Sequence, residues 1–250
     1  MHIRHTKLLN IVNSKHRVAV TELSHELDVS EVTIRKDLNF LERKGLLRRE
    51  HGYAALTSSD DIANHLSFNY EAKSLIAKRA AASVHNGETV MIESGGCCAL
   101  LAEELATNRR DVTIITNSAF IADYIRKQPN AHVVLLGGAY QNEAQVMVGP
   151  MVRSCAKEFY VHKCFVGTDG LNENGFMSND LMRAEAARAM ADSADNVIIL
   201  TESAKFKTTG VVPLFSFKRV HSVYTDDKAA SETLTMLGNK GIRVHPISEE

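Results

Sequence analysis

The stretch Ser30-Glu31-Val32-Thr33-Ile34-Arg35-Lys36-Asp37-Leu38 decides how the first part of this chain folds. Ser30 is a good N-cap and Glu31 suits the positive end of a helix dipole, so a helix is expected to begin here. The expected buried side consists of its apolar residues, Val32, Ile34, Leu38 and Leu41. The outward side then carries Thr33, Arg35, Lys36 and Asn39. A hydroxyl, a guanidinium, an ammonium and an amide together suit the base edges and phosphates of DNA.

Two helical segments precede this stretch. The first is predicted by an apolar stripe with basic neighbours, formed by Arg4, Lys7, Leu8, Leu9, Ile11 and Val12. Thr21 is expected to open the second, which runs to Leu27. Asp28-Val29 then forms the tight turn of a helix-turn-helix. A basic amphipathic helix alone is most often a solvated face, and the arrangement of three helices is what favours DNA binding.

The segment after the third helix predicts a wing. Gly45 is expected to end the helix, and residues 46–56 follow as two strands with His51-Gly52 at the tip. Arg48 and Arg49 are then expected beside the sugar-phosphate backbone of DNA.

These residues resemble the signature of the DeoR family of bacterial transcriptional regulators. The resemblance rests on the types and spacing of Arg4, Leu8, Val12, Ser30, Thr33, Ile34, Arg35, Lys36, Asp37 and Leu38. It implies an N-terminal winged helix-turn-helix followed by a domain that senses sugar phosphates. Asp37 is poorly suited to touch phosphate, so we expect it to orient Arg35 or a wing arginine, or to cap or pair within the module.

Composition is consistent with a regulator made of two parts. The chain has 250 residues, 44% of them hydrophobic, which suffices for a sizeable core. No apolar run reaches membrane-spanning length, and Met1-His2-Ile3-Arg4-His5 lacks the core of a secretory signal. We therefore expect a cytoplasmic protein without a membrane partner. Its four cysteines have no CxxC spacing, so no metal site is expected, and no cofactor either.

The formal net charge of −1 is unevenly shared. Residues 1–57 hold ten basic and seven acidic side chains, a net charge of +3 that leaves −4 for the other 193 residues. A modestly basic head on an acidic body fits a protein that binds double-stranded DNA with one face and doubles that face by forming a homo-oligomer.

The chain divides into three predicted parts. Residues 1–57 form the winged helix-turn-helix, residues 58–84 form a linker and a connecting helix, and residues 85–250 form an effector-binding α/β domain, with the boundary at the polar run Thr57-Ser58-Ser59-Asp60-Asp61. One helix is expected from 64 to 84. Beyond it, Val- and Ile-rich strands alternate with helices, which argues for a mostly parallel sheet. The strands are expected at 89–92, 112–115, 132–136, 163–167, 197–200 and 222–225, and the helices at 98–106, 119–126, 181–192 and 228–237.

Polar residues and glycines follow five successive predicted strands. Because ligands bind at the carboxyl ends of parallel strands, these residues are expected to line one effector site. The candidates are Glu93, Ser94, Gly95, Gly96, Cys97, Asn117, Gly137, Gly138, Asp169 and Lys205. Carboxylates and the amide suit sugar hydroxyls, while the lysine and backbone N–H groups suit phosphate.

The resemblance to the DeoR family extends over this second part. It is carried by Glu93-Ser94-Gly95, Thr116-Asn117-Ser118, Leu136-Gly137-Gly138, Val148-Gly149-Pro150, Gly167-Thr168-Asp169-Gly170, Ala184-Glu185 and Ser203-Ala204-Lys205-Phe206. It implies a fold similar to ribose-5-phosphate isomerase, glucosamine-6-phosphate deaminase and CoA transferases. The chain departs from the family where Gly96-Cys97-Cys98 replaces phosphate-holding hydroxyls. Phosphate contact then depends on backbone N–H groups, Ser94 and Lys205, or the effector is not an ordinary sugar phosphate.

Two alternative functions compete with a ligand-controlled regulator. Glu93, Asp169, Glu185 and Lys205 could supply the acid–base chemistry of a sugar-phosphate isomerase, although fold similarity alone does not transfer activity. The vicinal pair Cys97 and Cys98 could instead make a redox-responsive regulator.

The expected mechanism is ligand-controlled repression of a carbohydrate operon. An oligomer assembled through the C-terminal domain presents two winged helices to DNA half-sites. Thr33, Arg35 and Lys36 make the groove contacts, and Ser30, Arg48 and Arg49 position the backbone. Effector binding at the strand ends then weakens DNA binding through the helix expected at 64–84.

Overall fold

The computed structural model of the chain describes residues 3–56 and 62–247, with only the backbone of residues 3 and 63–65. It divides into two compact units, Met1–Glu71 and Ala72–Glu250. The predicted boundary at 57–61 lies outside the described residues. No helix in the described part of the chain combines the length and the hydrophobicity that spanning a bilayer requires.

The N-terminal unit consists of helices around a small antiparallel sheet. Its elements are α1 (Ile3–Lys15), β1 (Arg17–Ala19), α2 (Val20–Glu26), α3 (Glu31–Arg43), β2 (Arg48–Glu50), β3 (Tyr53–Ala55) and α4 (Ile62–Ser67). The predicted wing is confirmed as β2 and β3, and Gly52 at its tip has a φ of +74°, a conformation that suits glycine. The sheet order is β1-β3-β2, so it contains a third strand that the sequence did not predict.

Helix α3 begins and ends where its sequence predicts. Ser30 is the N-cap, and its hydroxyl accepts a hydrogen bond from the backbone N–H of Thr33 at 3.3 Å. Gly45 has a φ of +69°, and the next N–H, of Leu46, donates to the carbonyl of Leu41, which ends the helix. Helix α2 begins one residue before the predicted Thr21, which lies inside its first turn.

The expected burial of Val32 is wrong. Its side chain is 60% exposed, whereas Ile34, Leu38 and Leu41 are buried. These three share a face because they are spaced four and three residues apart. Val32 precedes Ile34 by only two residues, about 200° around a helix of 3.6 residues per turn, so it points to the opposite side.

Asp37 completes the buried face of α3 and joins it to α1. Its carboxylate accepts from Arg4 Nε at 2.5 Å and lies 3.1 Å from His5 Nε2. The expected pairing within the module is confirmed, but the partner is neither Arg35 nor a wing arginine. Burial works to raise the pKa of Asp37, yet hydrogen bonds and charge from Arg4 and His5 outweigh it and leave that pKa lowered.

Asp37→Asn is expected to destabilise the N-terminal unit by about 1–3 kcal/mol at pH 7, since it leaves the Arg4 guanidinium without its anion. A lowered carboxyl pKa stabilises the fold above the unfolded value near 4 and loses that effect as pH falls through the folded value. The difference from wild type should therefore shrink below about pH 4. Hydrogen exchange in α1 and α3, corrected for intrinsic rates, measures this.

The solvent-exposed Glu22, which pairs with Lys15 at 2.7 Å, provides the control. Glu22→Gln should leave exchange in α1 and α3 unchanged, because exposed ion pairs contribute little. Equal exchange in Asp37→Asn and wild type at pH 7 would show that the Arg4–Asp37 contact does not stabilise the unit.

The C-terminal unit is built on a seven-stranded, fully parallel sheet of order β15-β14-β12-β9-β4-β5-β6, which confirms the predicted fold class. These strands are β4 (Thr89–Ile92), β5 (Val112–Thr116), β6 (Ala131–Leu135), β9 (Val161–Val166), β12 (Ala194–Leu200), β14 (Val220–Asp226) and β15 (Arg243–Ile247). The helices of this part of the chain are α5 (Tyr70–Ala81), α6 (Gly96–Asn108), α7 (Ala119–Ile125), α8 (Pro150–Ala156), α9 (Leu181–Ala191) and α10 (Ser231–Asn239).

Two small antiparallel sheets stand beside the main one. The hairpin of β7 (Ala139–Gln141) and β8 (Val146–Val148) forms one, and β10 (Gly170–Asn172), β11 (Gly175–Ser178) and β13 (Val212–Ser216) form the other. The sequence predicted none of these short strands, nor α8 and β15. One hydrophobic core contains residues of the main sheet, of α9 and of β11, such as Ile199, Ala187 and Phe176 respectively.

The single helix expected from 64 to 84 is wrong. The chain forms two helices, α4 and α5, and Asn69 between them has a φ of +51°, which no helix accommodates. Ser67 at the end of α4 is tied to α1, because Asn13 Nδ2 donates to its carbonyl at 3.1 Å and its hydroxyl donates to Asn13 Oδ1 at 3.1 Å.

Candidate functional site

The outward face of α3 is a polar stripe with one apolar residue. Val32, Lys36, Asn39 and Arg43 follow one another at spacings of four, three and four, opposite the buried face, and all four are exposed. Thr33 and Arg35 flank this stripe. The Arg35 guanidinium lies 2.6 Å from Glu31 one turn earlier, and the Thr33 hydroxyl is 3.0 Å from that of Ser30.

The wing is tied to α3 by polar contacts. The Arg49 guanidinium donates to Asn39 Oδ1, and the Arg49 backbone N–H donates to Glu42 at 2.8 Å. Arg48 is exposed and pairs with Glu50 at 2.9 Å. The seven residues predicted to contact DNA therefore lie on the start and outward side of α3 and on the first wing strand. They are Ser30, Thr33, Arg35, Lys36, Asn39, Arg48 and Arg49.

Arg17 is a further cation at the wing that the sequence reasoning missed. It lies on β1, pairs with Glu50 at 2.7 Å and places its guanidinium 3.5 Å from the centre of the Tyr53 ring. Finding it required the pairing of β1 with β3, which places Arg17 beside the wing.

In the C-terminal unit, the loop after β4 leads directly into α6. Gly95 is the N-cap of α6 with a φ of +103°, a conformation that favours glycine, and a Cβ at this position would have no described atom within 4 Å. Ala99 donates the first intrahelical bond, to the Gly95 carbonyl, so the N–H groups of Gly96 and Cys97 lie in the unpaired first turn. Such a turn favours an anion.

Glu93 is a buried carboxyl group at the end of β4. The Ser94 hydroxyl donates to its Oε1 at 2.6 Å. Burial raises the pKa of Glu93, although the Ser94 hydrogen bonds and the charge of Arg183 oppose this. The carboxyl group consequently keeps its proton to higher pH than an ordinary glutamate does, and in that form it can donate a hydrogen bond.

Asp169 and Lys205 come together from two strand ends. Lys205 Nζ lies 3.8 Å from Asp169 Oδ1, while Asp169 Oδ2 accepts from the backbone N–H of Asn179 at 2.9 Å. Both side chains remain about one-third exposed. The structure thus joins two predicted effector residues that are 36 positions apart in the sequence.

Asn117 is fully buried at the end of β5. Its Nδ2 donates to the Met147 carbonyl at 2.9 Å, and its Oδ1 has no hydrogen-bond partner among the described residues. A buried acceptor without a partner is costly, so Oδ1 is suited to accept from a ligand hydroxyl.

The predicted glycines after β6 differ in what they permit. A Cβ on Gly138 would lie 2.7 Å from the Val148 carbonyl oxygen and 2.8 Å from Val152, so this glycine permits close packing against β8 and α8. A Cβ on Gly137 would meet only ordinary contacts, with Met151 at 3.9 Å.

The two vicinal cysteines are buried as free thiols. Burial raises the pKa of Cys97 to about 12 and that of Cys98 well above its ordinary value. Cys98 Sγ also contacts the Phe165 carbonyl at 3.8 Å. Because the thiolate is the reactive form of cysteine, the burial that raises both pKa values does not favour the redox alternative.

Glu185 does not join the acidic residues of the site. It is exposed on α9, where it lies 3.6 Å from Arg153 and 3.6 Å from Arg188. The four residues weighed for isomerase chemistry are thus not brought together. Within 3–56 and 62–247, no group of three or more side chains is arranged to hold a metal ion.

Two further charged groups near the strand ends were missed by the sequence reasoning. Arg183, in the first turn of α9, has a buried Nε with no hydrogen-bond partner among the described residues, and the carboxylate of Asp180 is 3.7 Å away. Lys73 on α5 forms a buried ion pair with Glu202, at 3.3 Å. Neither was predictable, because β11 before Arg183 was not recognised and Lys73 resembles an ordinary solvated lysine.

Two family models match the chain, one for each unit. Residues 4–60 match the DeoR-like helix-turn-helix domain. Residues 68–227, more than half of the chain, match the DeoR C terminal sensor domain.

The similarity to individual proteins extends over nearly the whole chain. The chain is 27% identical to the HTH-type transcriptional regulator GolR of Listeria innocua over 230 residues, covering 90% of both proteins. It is 26% identical to the glycerol-3-phosphate regulon repressor of Escherichia coli K12 over 245 residues, covering 96% of this chain and 97% of that protein. Among solved structures, ribose 5-phosphate isomerase from Plasmodium falciparum aligns with a TM-score of 0.42 at 17% identity, covering 56% of this chain and 55% of the isomerase.

Proposed function

Because the chain belongs to the DeoR family of transcriptional regulators, we propose that it represses a carbohydrate-metabolism operon and releases the operator when a phosphorylated sugar binds its C-terminal unit. The glycerol-3-phosphate regulon repressor, similar over almost its full length, supports the proposed repression, and its regulon is named for a phosphorylated metabolite. The double-stranded operator and the effector are its two partners, and we expect no turnover of the effector.

The observation that carries the DNA-binding proposal is the coupling of α3 to the wing. The contact between Arg49 and Asn39 holds the wing strand against the outward stripe of α3. The wing strand and α3 therefore present their cationic and amide side chains on one surface. A recognition helix needs base-reading groups and phosphate-binding groups in fixed register. We assign contacts with the DNA groove to Thr33, Arg35, Lys36 and Asn39. Contacts with the sugar-phosphate backbone are assigned to Ser30, Arg48 and Arg49.

The effector proposal rests on the polar groups at the strand ends. Asn117 Oδ1 and the carboxyl groups of Glu93 and Asp169 suit sugar hydroxyls, while Arg183, Lys205 and the first turn of α6 suit an anionic group. Cys97 and Cys98 are weak hydrogen-bond donors compared with hydroxyls. Arg183 supplies charged N–H donors for phosphate in their place. The Arg183 side chain is about one-third exposed, and although its Nε lies 3.7 Å from Asp180, its guanidinium can donate to phosphate or carboxylate oxygens.

The link from effector to DNA is proposed to run through the Lys73–Glu202 pair. Glu202 immediately precedes the turn Ser203–Lys207, which carries Lys205, so a ligand held by Lys205 acts on the segment that holds Glu202. Lys73 lies on α5, whose first residues Tyr70 and Glu71 belong to the N-terminal unit. Effector binding that shifts this pair biases the orientation of α5.

We further propose that the chain works as a homo-oligomer assembled through the C-terminal unit. A single winged helix with a net charge of only +3 in residues 1–57 has limited DNA affinity, and two copies on neighbouring half-sites multiply it. Strand β6 ends the main sheet and exposes Val133 and Leu135, which supports an apolar contact between copies at that edge.

The test combines operator binding with product analysis. The full-length protein, on an operator identified by genome-wide mapping, is titrated with pentose, hexose and triose phosphates while fluorescence anisotropy reports bound DNA. We expect one of these compounds to release the DNA and to be recovered chemically unchanged. Conversion of the compound would favour an isomerase, and DNA binding indifferent to all of them would contradict the sensor proposal.

Arg183→Met is expected to weaken effector binding by about tenfold to a hundredfold, because a charged hydrogen bond is lost. Calorimetric titration of the releasing compound measures this. Arg153→Met, which removes an arginine held by the exposed Glu185, is the matched control and should bind normally. If both variants bind like wild type, Arg183 is not a ligand contact.

A further inference from the structure

Val32 is an exposed apolar side chain at the N-terminal end of the outward stripe of α3. It is the second residue of the helix and is 60% exposed, while the apolar residues Ile34, Leu38 and Leu41 of the same helix are buried. Lys36, Asn39 and Arg43 continue the stripe with polar groups. Val32 therefore presents two methyl groups on a face that is otherwise suited to DNA.

The polar neighbours of Val32 are engaged within the helix itself. Thr33 is 3.0 Å from the Ser30 hydroxyl, and Arg35 is 2.6 Å from Glu31. These groups must exchange protein contacts for DNA contacts, whereas Val32 breaks no hydrogen bond when it enters a groove. Its transfer from water to an apolar contact is favourable by itself.

The major groove offers one apolar group to such a side chain. Each base pair presents donors and acceptors there, and only thymine adds a methyl group, at C5. The N-terminal residues of a recognition helix are those that reach the base edges. Val32, at the second position, is placed to do so.

We propose that Val32 reads a thymine by packing its side chain against the C5 methyl group, once in each half-site of the operator. This inference rests on the proposed binding of α3 to DNA and adds to it a base preference. Val32 then determines specificity, while Lys36 and Arg35 supply most of the affinity.

The experiment removes one methyl group from the DNA. Full-length protein selects its preferred duplex from a random library, and each thymine of that duplex is then replaced singly by deoxyuridine. In each half-site, we expect one thymine whose replacement weakens binding about fourfold, because one buried methyl group is lost. Replacing this thymine in both half-sites should weaken binding roughly fifteenfold. In Val32→Ala, which lacks the two valine methyl groups, the ratio of the affinity for the thymine duplex to that for the deoxyuridine duplex should fall from about four toward one at those positions.

Lys36→Ala is the matched control. It should weaken binding to both duplexes and keep the methyl dependence, because a lysine does not contact the methyl group. Alanine is a good helix former and Val32 is exposed, so Val32→Ala keeps the fold, which circular dichroism verifies. The assignment is overturned if the protein binds DNA but no thymine methyl group affects the affinity. It is also overturned if the methyl group affects the affinity of Val32→Ala as much as that of wild type. Either result leaves the DNA-binding proposal standing. Failure to select any DNA overturns both.

Discussion

Arg35→Ala is expected to weaken operator binding severely while leaving the C-terminal unit folded. A base or phosphate contact of an arginine contributes about 1–3 kcal/mol, and an operator with two half-sites doubles this. The loss is then about 2–6 kcal/mol, roughly thirtyfold to more than a thousandfold in Kd. Among the described residues, the exposed Arg35 pairs with Glu31 of the same helix, so the variant keeps the core intact. Fluorescence anisotropy on the mapped operator measures the change.

Lys15→Ala provides the control of equal charge. Lys15 lies at the end of α1 and its ammonium is held by Glu22 and Glu26, so its removal changes the net charge without removing a proposed DNA contact. We expect less than a threefold effect, which the general electrostatic attraction alone explains. Comparable losses in Lys15→Ala and Arg35→Ala would show that affinity follows charge and not the outward side of α3.

The second large effect is expected at the Lys73–Glu202 pair. Lys73→Met leaves the Glu202 carboxylate buried without its cation, and such half-broken buried pairs cost about 3–5 kcal/mol. The variant Lys73→Met/Glu202→Met replaces both charges by apolar groups of similar size and should recover most of that stability. Calorimetric unfolding of the full chain measures both.

The double variant separates stability from signalling. It should fold, bind the operator, and no longer release it when the effector is added, because the connection between the Ser203–Lys207 turn and α5 is gone. The pair Lys163–Glu88, at 2.7 Å near the amino ends of β9 and β4, is the matched control. Lys163→Met/Glu88→Met should keep the effector response. A double variant at Lys73 and Glu202 that releases DNA normally would contradict the proposed route.

Local signals explain the parts of the N-terminal unit that the sequence predicted. Ser30 and Gly45 set the two ends of α3 through caps that involve only neighbouring residues, and Gly52 marks the wing tip in the same way. Val32 was misplaced because its residue type was weighed above its position relative to Ile34. Strand β1 was missed because its three residues pair with Tyr53–Ala55, which lie 34 to 38 positions away.

In the C-terminal unit the long Val- and Ile-rich strands were predictable and the short ones were not. Strands β10 and β11 include glycines, asparagine and serine, which by themselves indicate loops, and they are strands because they pair with one another. Arg183 follows β11, so its place near Glu93 depends on the tertiary structure. The break before α5 was hidden by an apolar stripe that continues across it, whereas Asn69 and the contacts of Ser67 with Asn13 end α4.

If the outward side of α3 holds an operator under the control of a carbohydrate-derived ligand, occupancy of DNA in the cell must depend on both. Genome-wide mapping of bound DNA, in cells grown with and without the sugars used by the neighbouring genes, measures that occupancy. We expect discrete sites beside carbohydrate genes that are occupied without the sugar, vacated with it, and not occupied by Arg35→Ala. Occupancy that is the same under every growth condition, or sites that Arg35→Ala still fills, would contradict this expectation.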